Sequence, residues 1–159
     1  SWLGSFTSRF LLASPAGEGG RAMPQVQIHI INAMDLPNMD VLDYTDAYVR
    51  VMMGGQEVMR TRTINNDLNP SWDHRGSIEW DGINDLVFSV WDSDTFTADD
   101  WIGKYTLAKG EIRAGAVCGV FPLTAGKKTG KATAKPPRIS IKVALPTPEG
   151  CCASGCSVM

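Results

Sequence analysis

From residue 23 onward the chain adopts a strict two-residue alternation, with Val26, Ile28 and Ile30 on one side and Gln25, Gln27 and His29 on the other. That period is the signature of a strand buried on one face. Comparable β-branched or alternating runs recur at 47–53, 57–64, 76–80, 85–91, 103–108, 118–123 and 138–145. Turn-forming pairs punctuate them, among them Gly54-Gly55, Asn69-Pro70, Asp81-Gly82 and Pro136-Pro137. Eight short strands so spaced predict an all-β fold, an eight-stranded antiparallel β-sandwich with Greek-key connections. One short helix fits 109–114, limited by Gly110 within it and Gly115 after it. A chain of 159 residues accommodates one such core. The expected organisation is a disordered lead-in over 1–22, the sandwich over 23–146 and a flexible tail over 147–159. No apolar run approaches the roughly 20 residues needed to cross a bilayer.

The net charge of −2 conceals an uneven distribution. Residues 23–123 hold 15 acids against 7 bases, and the flanks hold 8 bases against 2 acids. Eight of the 15 acids fall in two windows: Asp35, Asp40, Asp43 and Asp46, then Asp92, Asp94, Asp99 and Asp100. The overall basicity that accompanies nucleic-acid binding is absent, so no nucleic-acid partner is expected. Three of the four cysteines crowd into the last nine residues, which is not a disulfide framework spread through a fold and favours a reducing compartment.

On the strand map both acidic windows are loops, one after the first strand and one after 85–91. Loops of a sandwich gather at its two ends, so remote acidic stretches can meet. Carboxylates brought together repel one another unless a cation compensates. Calcium, which takes six to eight oxygen ligands in flexible geometry, suits irregular loops better than magnesium does. His29 and His74 are poor candidates for such an oxygen-preferring ion. The spacing is suggestive: Asp46 follows Asp40 by six, Asp94 follows Asp92 by two, and Asp100 follows Asp94 by six.

Four motifs in order carry a family resemblance. They are Asp35-Leu36-Pro37-Asn38-Met39-Asp40, Asp46-Ala47-Tyr48-Val49, Leu68-Asn69-Pro70-Ser71-Trp72, and Val90-Trp91-Asp92-Ser93-Asp94 through Asp100-Trp101-Ile102-Gly103. Together they resemble the C2 domain, the calcium-dependent phospholipid-binding module of conventional protein kinases C and synaptotagmins, over about residues 25–145. The resemblance implies that Asp40, Asp46, Asp92, Asp94 and Asp100 are carboxylate ligands for two or three calcium ions, with the backbone carbonyls of Met39 and Ser93 as supplementary ligands. Asp35, Asp43 and Asp99 match no ligand position and are expected to be solvated loop acids. Because the first strand leads straight into the metal loops and 138–145 supplies a last strand, the chain resembles the permuted (type II) topology. Three departures stand out: Ala47 replaces a usual Pro, Gly76 falls where a core aromatic is common, and His74 occupies a position often filled by an acid.

The function this implies is calcium-dependent binding to an anionic phospholipid membrane, at the cytoplasmic face, with lipid oxygens completing the metal coordination. Met39, Val41, Leu42, Phe96 and Trp101 are apolar groups near the loop tips; Phe96 is the best insertion candidate, whereas Trp101 is expected to pack against the fold. Arg60 and Arg62 alternate on a strand and resemble part of a basic lipid-binding patch, while Lys127, Lys128, Lys131 and Lys135 form a polybasic loop. Cys156-Ser157-Val158-Met159 resembles a prenylation box, with Cys151 and Cys152 as candidate palmitoylation sites. The alternative is a lipid-anchored adaptor whose sandwich binds a protein partner without calcium. An enzyme is not expected, because no nucleophile motif is present.

Overall fold

A computed structural model describes residues 22–39, 43–125 and 135–146. The lead-in 1–21, the tail 147–159, Asp40, Val41, Leu42, Lys127, Lys128, Lys131, Cys151, Cys152 and Cys156 lie outside the described residues.

The expected sandwich forms. Its elements in chain order are β1 (Gln25–Met34), β2 (Ala47–Met53), β3 (Gln56–Arg60), β4 (Ser71–Glu79), β5 (Leu86–Asp92), β6 (Asp100–Leu107), α1 (Lys109–Ala114), β7 (Val117–Pro122), β8 (Thr124–Ala125) and β9 (Arg138–Ala144). One sheet has the order β4-β1-β9-β7; the other has β3-β2-β5-β6 with the two-residue β8 on its edge. Neighbouring strands are antiparallel throughout.

The alternation that announced β1 buries Val26, Ile28 and Ile30 against Ile139, Ile141 and Val143 of β9 and the inward residues of the opposite sheet, Val49, Phe88 and Val90. Each such side chain contributes about 1.5–3 kcal/mol of burial. The β2–β3 hairpin turns through Gly54 and Gly55, both in the left-handed region at φ 57° and 85° that glycine enters without cost.

The structure differs from the sequence expectation at several boundaries. Strand β4 starts at Ser71 rather than at 76, because a bulge interrupts the pattern: Ile30 lies opposite His74 and Asn32 opposite Ser71, leaving Trp72 and Asp73 against one residue. Strand β3 ends at Arg60, so the expected run to 64 survives only as a bridge between Ile64 and Ala47. Two of the departures from the family pattern also have physical answers. The backbone N–H of Ala47 donates to the Ile64 carbonyl at 2.9 Å, a bond that proline lacks the hydrogen to make. Gly76 leaves room for Met59 from the facing sheet, whose Cε would lie 2.7 Å from any added Cβ.

Candidate functional site

Strands β2, β5 and β6 are neighbours, and their register places Ala47 opposite Asp92 and Asp92 opposite Asp100. Three of the acids singled out in sequence, Asp46, Asp92 and Asp100, therefore stand side by side at one end of the sheet. Asp92 and Asp100 are strand residues rather than loop residues, which fixes their Cα positions more firmly than a loop would. The Asp46 backbone N–H donates to Asp92 Oδ1 at 2.7 Å, and the Ser93 N–H donates to the Asp46 carbonyl at 2.9 Å. Asp92 is 1% exposed.

The segments around this end are braced by short polar contacts. Thr45, fully buried, accepts from the Met39 N–H at 3.2 Å and donates to the Pro37 carbonyl at 2.9 Å, closing the first acidic segment on itself. Asn66, in the left-handed region at φ 56°, donates its N–H to Asp46 Oδ1 at 2.7 Å and accepts from the Tyr44 N–H at 3.2 Å. The Tyr48 hydroxyl donates to Asp99 Oδ2 at 2.5 Å, and Asp99 Oδ1 accepts from the Asp94 N–H at 3.2 Å. Burial first, and the bond to Asp99 second, push the Tyr48 hydroxyl up to about 12.

Two expectations are corrected by these contacts. Asp99 is a structural acid that ties β2 to the second acidic segment. Asp35 pairs with Arg138 of β9 at 2.6 Å and is likewise not a solvated loop acid. Asn66 and Tyr44 were missed in sequence. The turn-forming run Asn65-Asn66-Asp67 was the available signal for the first; nothing local marked the second.

The donor set here is all oxygen, which fits a hard cation and not a soft one. Among the described residues no three His, Cys, Asp or Glu side chains converge closely enough to hold a metal ion. Asp40, the fifth acid of the implied set, lies outside the described residues. Asp46, Asp92, Asp94 and Asp100, with the backbones of Met39 and Ser93, are thus brought to one end of the sandwich by β2, β5 and β6 and by the segments between them.

At the same end Phe96 is 96% exposed and Tyr44 56% exposed. Met39 instead packs against the core, so its side chain is unavailable at the loop tip. Trp101 packs as expected, its indole N–H donating to Ser89 Oγ at 3.1 Å.

The basic pair is also corrected. Arg62 follows the end of β3 and does not share a strand with Arg60. Arg60 is held by Glu57 through two bonds of 2.9 Å, and Glu57 also accepts from Arg50 at 2.5 Å. Arg60 further lies over the Tyr48 ring and Arg50 over the Trp91 ring. Bonding to Arg60, reinforced by Arg50, lowers Glu57 from its ordinary 4.5 to about 2. Its ionised form therefore stabilises the fold above about pH 4.5, and that contribution is lost as pH falls through about 2. Glu57→Gln is expected to lower stability by a constant amount above about pH 5, with the difference from wild type shrinking below about pH 4.5 and gone below about pH 2 in urea titrations.

Cys118 lies on β7, within the strand run expected at 118–123. Among the described residues no helix is long and apolar enough to cross a membrane.

Comparison with known proteins places this architecture. The family model for the C2 domain matches residues 24–122. A C2 and GRAM domain-containing protein of Arabidopsis thaliana is 38% identical over 81 residues, which is 50% of this chain and 8% of the relative. Synaptotagmin-5 of the same plant is 35% identical over 85 residues, covering 52% of this chain and 15% of the relative. The chain thus spans a small part of the length of these relatives. Among solved structures, a C2 domain of plant Extended Synaptotagmin 1 superposes with a TM-score of 0.66 at 18% identity, covering 80% of this chain and 99% of that one. The calcium-bound pair of C2 domains of Extended-Synaptotagmin 2 gives 0.61 at 22% identity, covering 78% and 46%.

Proposed function

The chain belongs to the C2 domain family, and from that premise we propose that it binds anionic phospholipid membranes in response to calcium. The observation that carries this reading is the register that sets Ala47, Asp92 and Asp100 abreast while Asp46 and Ser93 are bonded across the same strand ends. The calcium-bound state of a solved relative with the same fold supports it.

In this reading Asp40, Asp46, Asp92, Asp94 and Asp100 hold two or three ions, with the carbonyls of Met39 and Ser93 assisting. Calcium, when bound, supplies the positive charge that offsets these carboxylates and open positions for lipid oxygens. The chain's own contribution is to keep Asp46, Asp92, Asp94 and Asp100 at one end at the cost of mutual repulsion, so that this end without calcium repels an anionic surface. Phe96 and Tyr44 flank that end and enter the interface, where aromatic rings are favoured. The protein acts as a binding module rather than a catalyst, peripheral at the cytoplasmic face of a membrane.

Sedimentation with vesicles of phosphatidylserine and phosphatidylcholine tests the reading: binding is expected in calcium and absent in chelator. Equal binding in both conditions overturns it. Phe96→Ala is expected to weaken calcium-dependent vesicle binding about 10- to 100-fold, from the loss of roughly 1.5–3 kcal/mol of apolar burial, with calcium uptake in the absence of lipid unchanged. Calorimetry beside the same sedimentation assay separates the two.

A further inference from the structure

The outer face of the β4-β1-β9-β7 sheet carries a row of basic side chains unrelated to the acidic end. Arg75 of β4 lies opposite His29 of β1, and His29 lies opposite Lys142 of β9. Directly opposed residues hold their Cβ atoms about 5 Å apart, so the three groups cross the sheet in one line. They share a shallow cavity of about 230 Å³ with Gln27 and the backbone of Gly76.

The charge in that cavity is uneven. His29 Nε2 meets Asp73 Oδ1 at 2.5 Å, and Arg75 touches the same oxygen at 3.4 Å. Lys142 has no ion pair among the described residues. The other acid on this face of β4 is Glu79, opposite Gln25 at the far end of β1. Asp73 sits on the β4 bulge, in the left-handed region at φ 44°, and its side chain is 67% exposed. A mostly solvated carboxylate thus already sits on the His29 and Arg75 part of the row, and Lys142 has no such partner among the described residues.

From this arrangement we propose that the Arg75–His29–Lys142 row is a docking site for an acidic peptide segment of a protein partner. A carboxylate of the partner takes the place of Asp73 on His29 and Arg75, and a second one reaches Lys142. The resident Asp73 shows that a carboxylate fits the first position. The place of the row on the fold favours a protein over a bilayer: His29 is five residues from Met34, about 17 Å along β1 from the acidic end. With that end against a membrane, the row faces sideways into solvent.

The test is fluorescence anisotropy of a labelled peptide of alternating Glu and Gly, added to the full chain in chelator. The Arg75→Glu, Lys142→Glu double variant is expected to weaken binding about tenfold or more through reversed charge. Asp73→Asn removes the competing carboxylate and is expected to strengthen binding several-fold. Circular dichroism checks the fold of both, and if the double variant does not fold, Asp73→Asn decides alone. Undiminished binding by a folded double variant, or unchanged or weaker binding by Asp73→Asn, overturns the proposal. So does failure of the Glu peptide beside chelator-resistant, Arg75- and Lys142-dependent binding to phosphoinositide vesicles, which would make a lipid the occupant.

Discussion

Replacing Asp92 and Asp94 by Asn is expected to abolish calcium-dependent vesicle binding while leaving the domain folded. Asparagine is nearly isosteric with aspartate, and its side-chain carbonyl retains the acceptor that Asp92 offers to the Asp46 N–H. The pair of substitutions removes two negative charges from an end of the sandwich that also carries Asp46 and Asp100. Without calcium, the variant is therefore expected to be at least as stable as wild type, because neutralising clustered carboxylates relieves repulsion. With calcium the order reverses. A ligand that binds the native state at about 100 times its dissociation constant stabilises by about 2.7 kcal/mol, which for a domain of this size raises Tm by on the order of 10 °C. Wild type should show that shift and the variant should not. Thermal denaturation in calcium and in chelator reads both signs, and a variant that retains the calcium shift removes Asp92 and Asp94 from the ligand set.

What was legible in the sequence followed from local rules, and what was missed depended on partners far along the chain. Alternation of Val26, Ile28 and Ile30 gave β1 because each inward residue is β-branched and each outward one polar. The start of β4 was hidden for the opposite reason: Asp73, His74 and Arg75 are polar, and the bulge at Trp72 and Asp73 breaks the period. Strand β8 has two residues, too few to show any period. The acidic windows were visible as composition, and their spacing pointed to oxygen ligation. The separate duties of their members were not visible, since Asp99 answers to Tyr48, 51 residues away, and Asp35 to Arg138, 103 residues away. Arg60 and Arg62 looked like a pair because strand periodicity was extended past the point where pairing with β2 stops. The bond from Arg60 to Glu57 follows from a short i, i+3 separation, yet only the fold shows that Arg50 joins it.

Trp72→Ala is the substitution expected to cost the fold most. The indole is 3% exposed and belongs to the core. Its Nε1–H donates to the Ala47 carbonyl at 3.1 Å, joining β4 to the first residue of β2 across the two sheets. Truncating a buried Trp to Ala typically costs about 3–5 kcal/mol, the sum of lost transfer free energy and the cavity left behind. With a urea slope of about 1–3 kcal/mol/M, the midpoint should fall by about 2 M. Trp72→Phe keeps most of the ring and loses the N–H. The Ala47 carbonyl still accepts from the Ile64 N–H at 2.9 Å, so no buried acceptor is stranded and the expected cost is about 1 kcal/mol. The difference between the two variants measures packing against hydrogen bonding at this joint. It bears on the acidic end as well, because Ala47 follows Asp46 directly and the indole helps fix where β2 begins. Trp72→Phe should accordingly raise the calcium concentration needed for vesicle binding modestly. A Trp72→Ala loss below about 1 kcal/mol, well under the usual cost of such a truncation, would show that this joint does not hold the two sheets together.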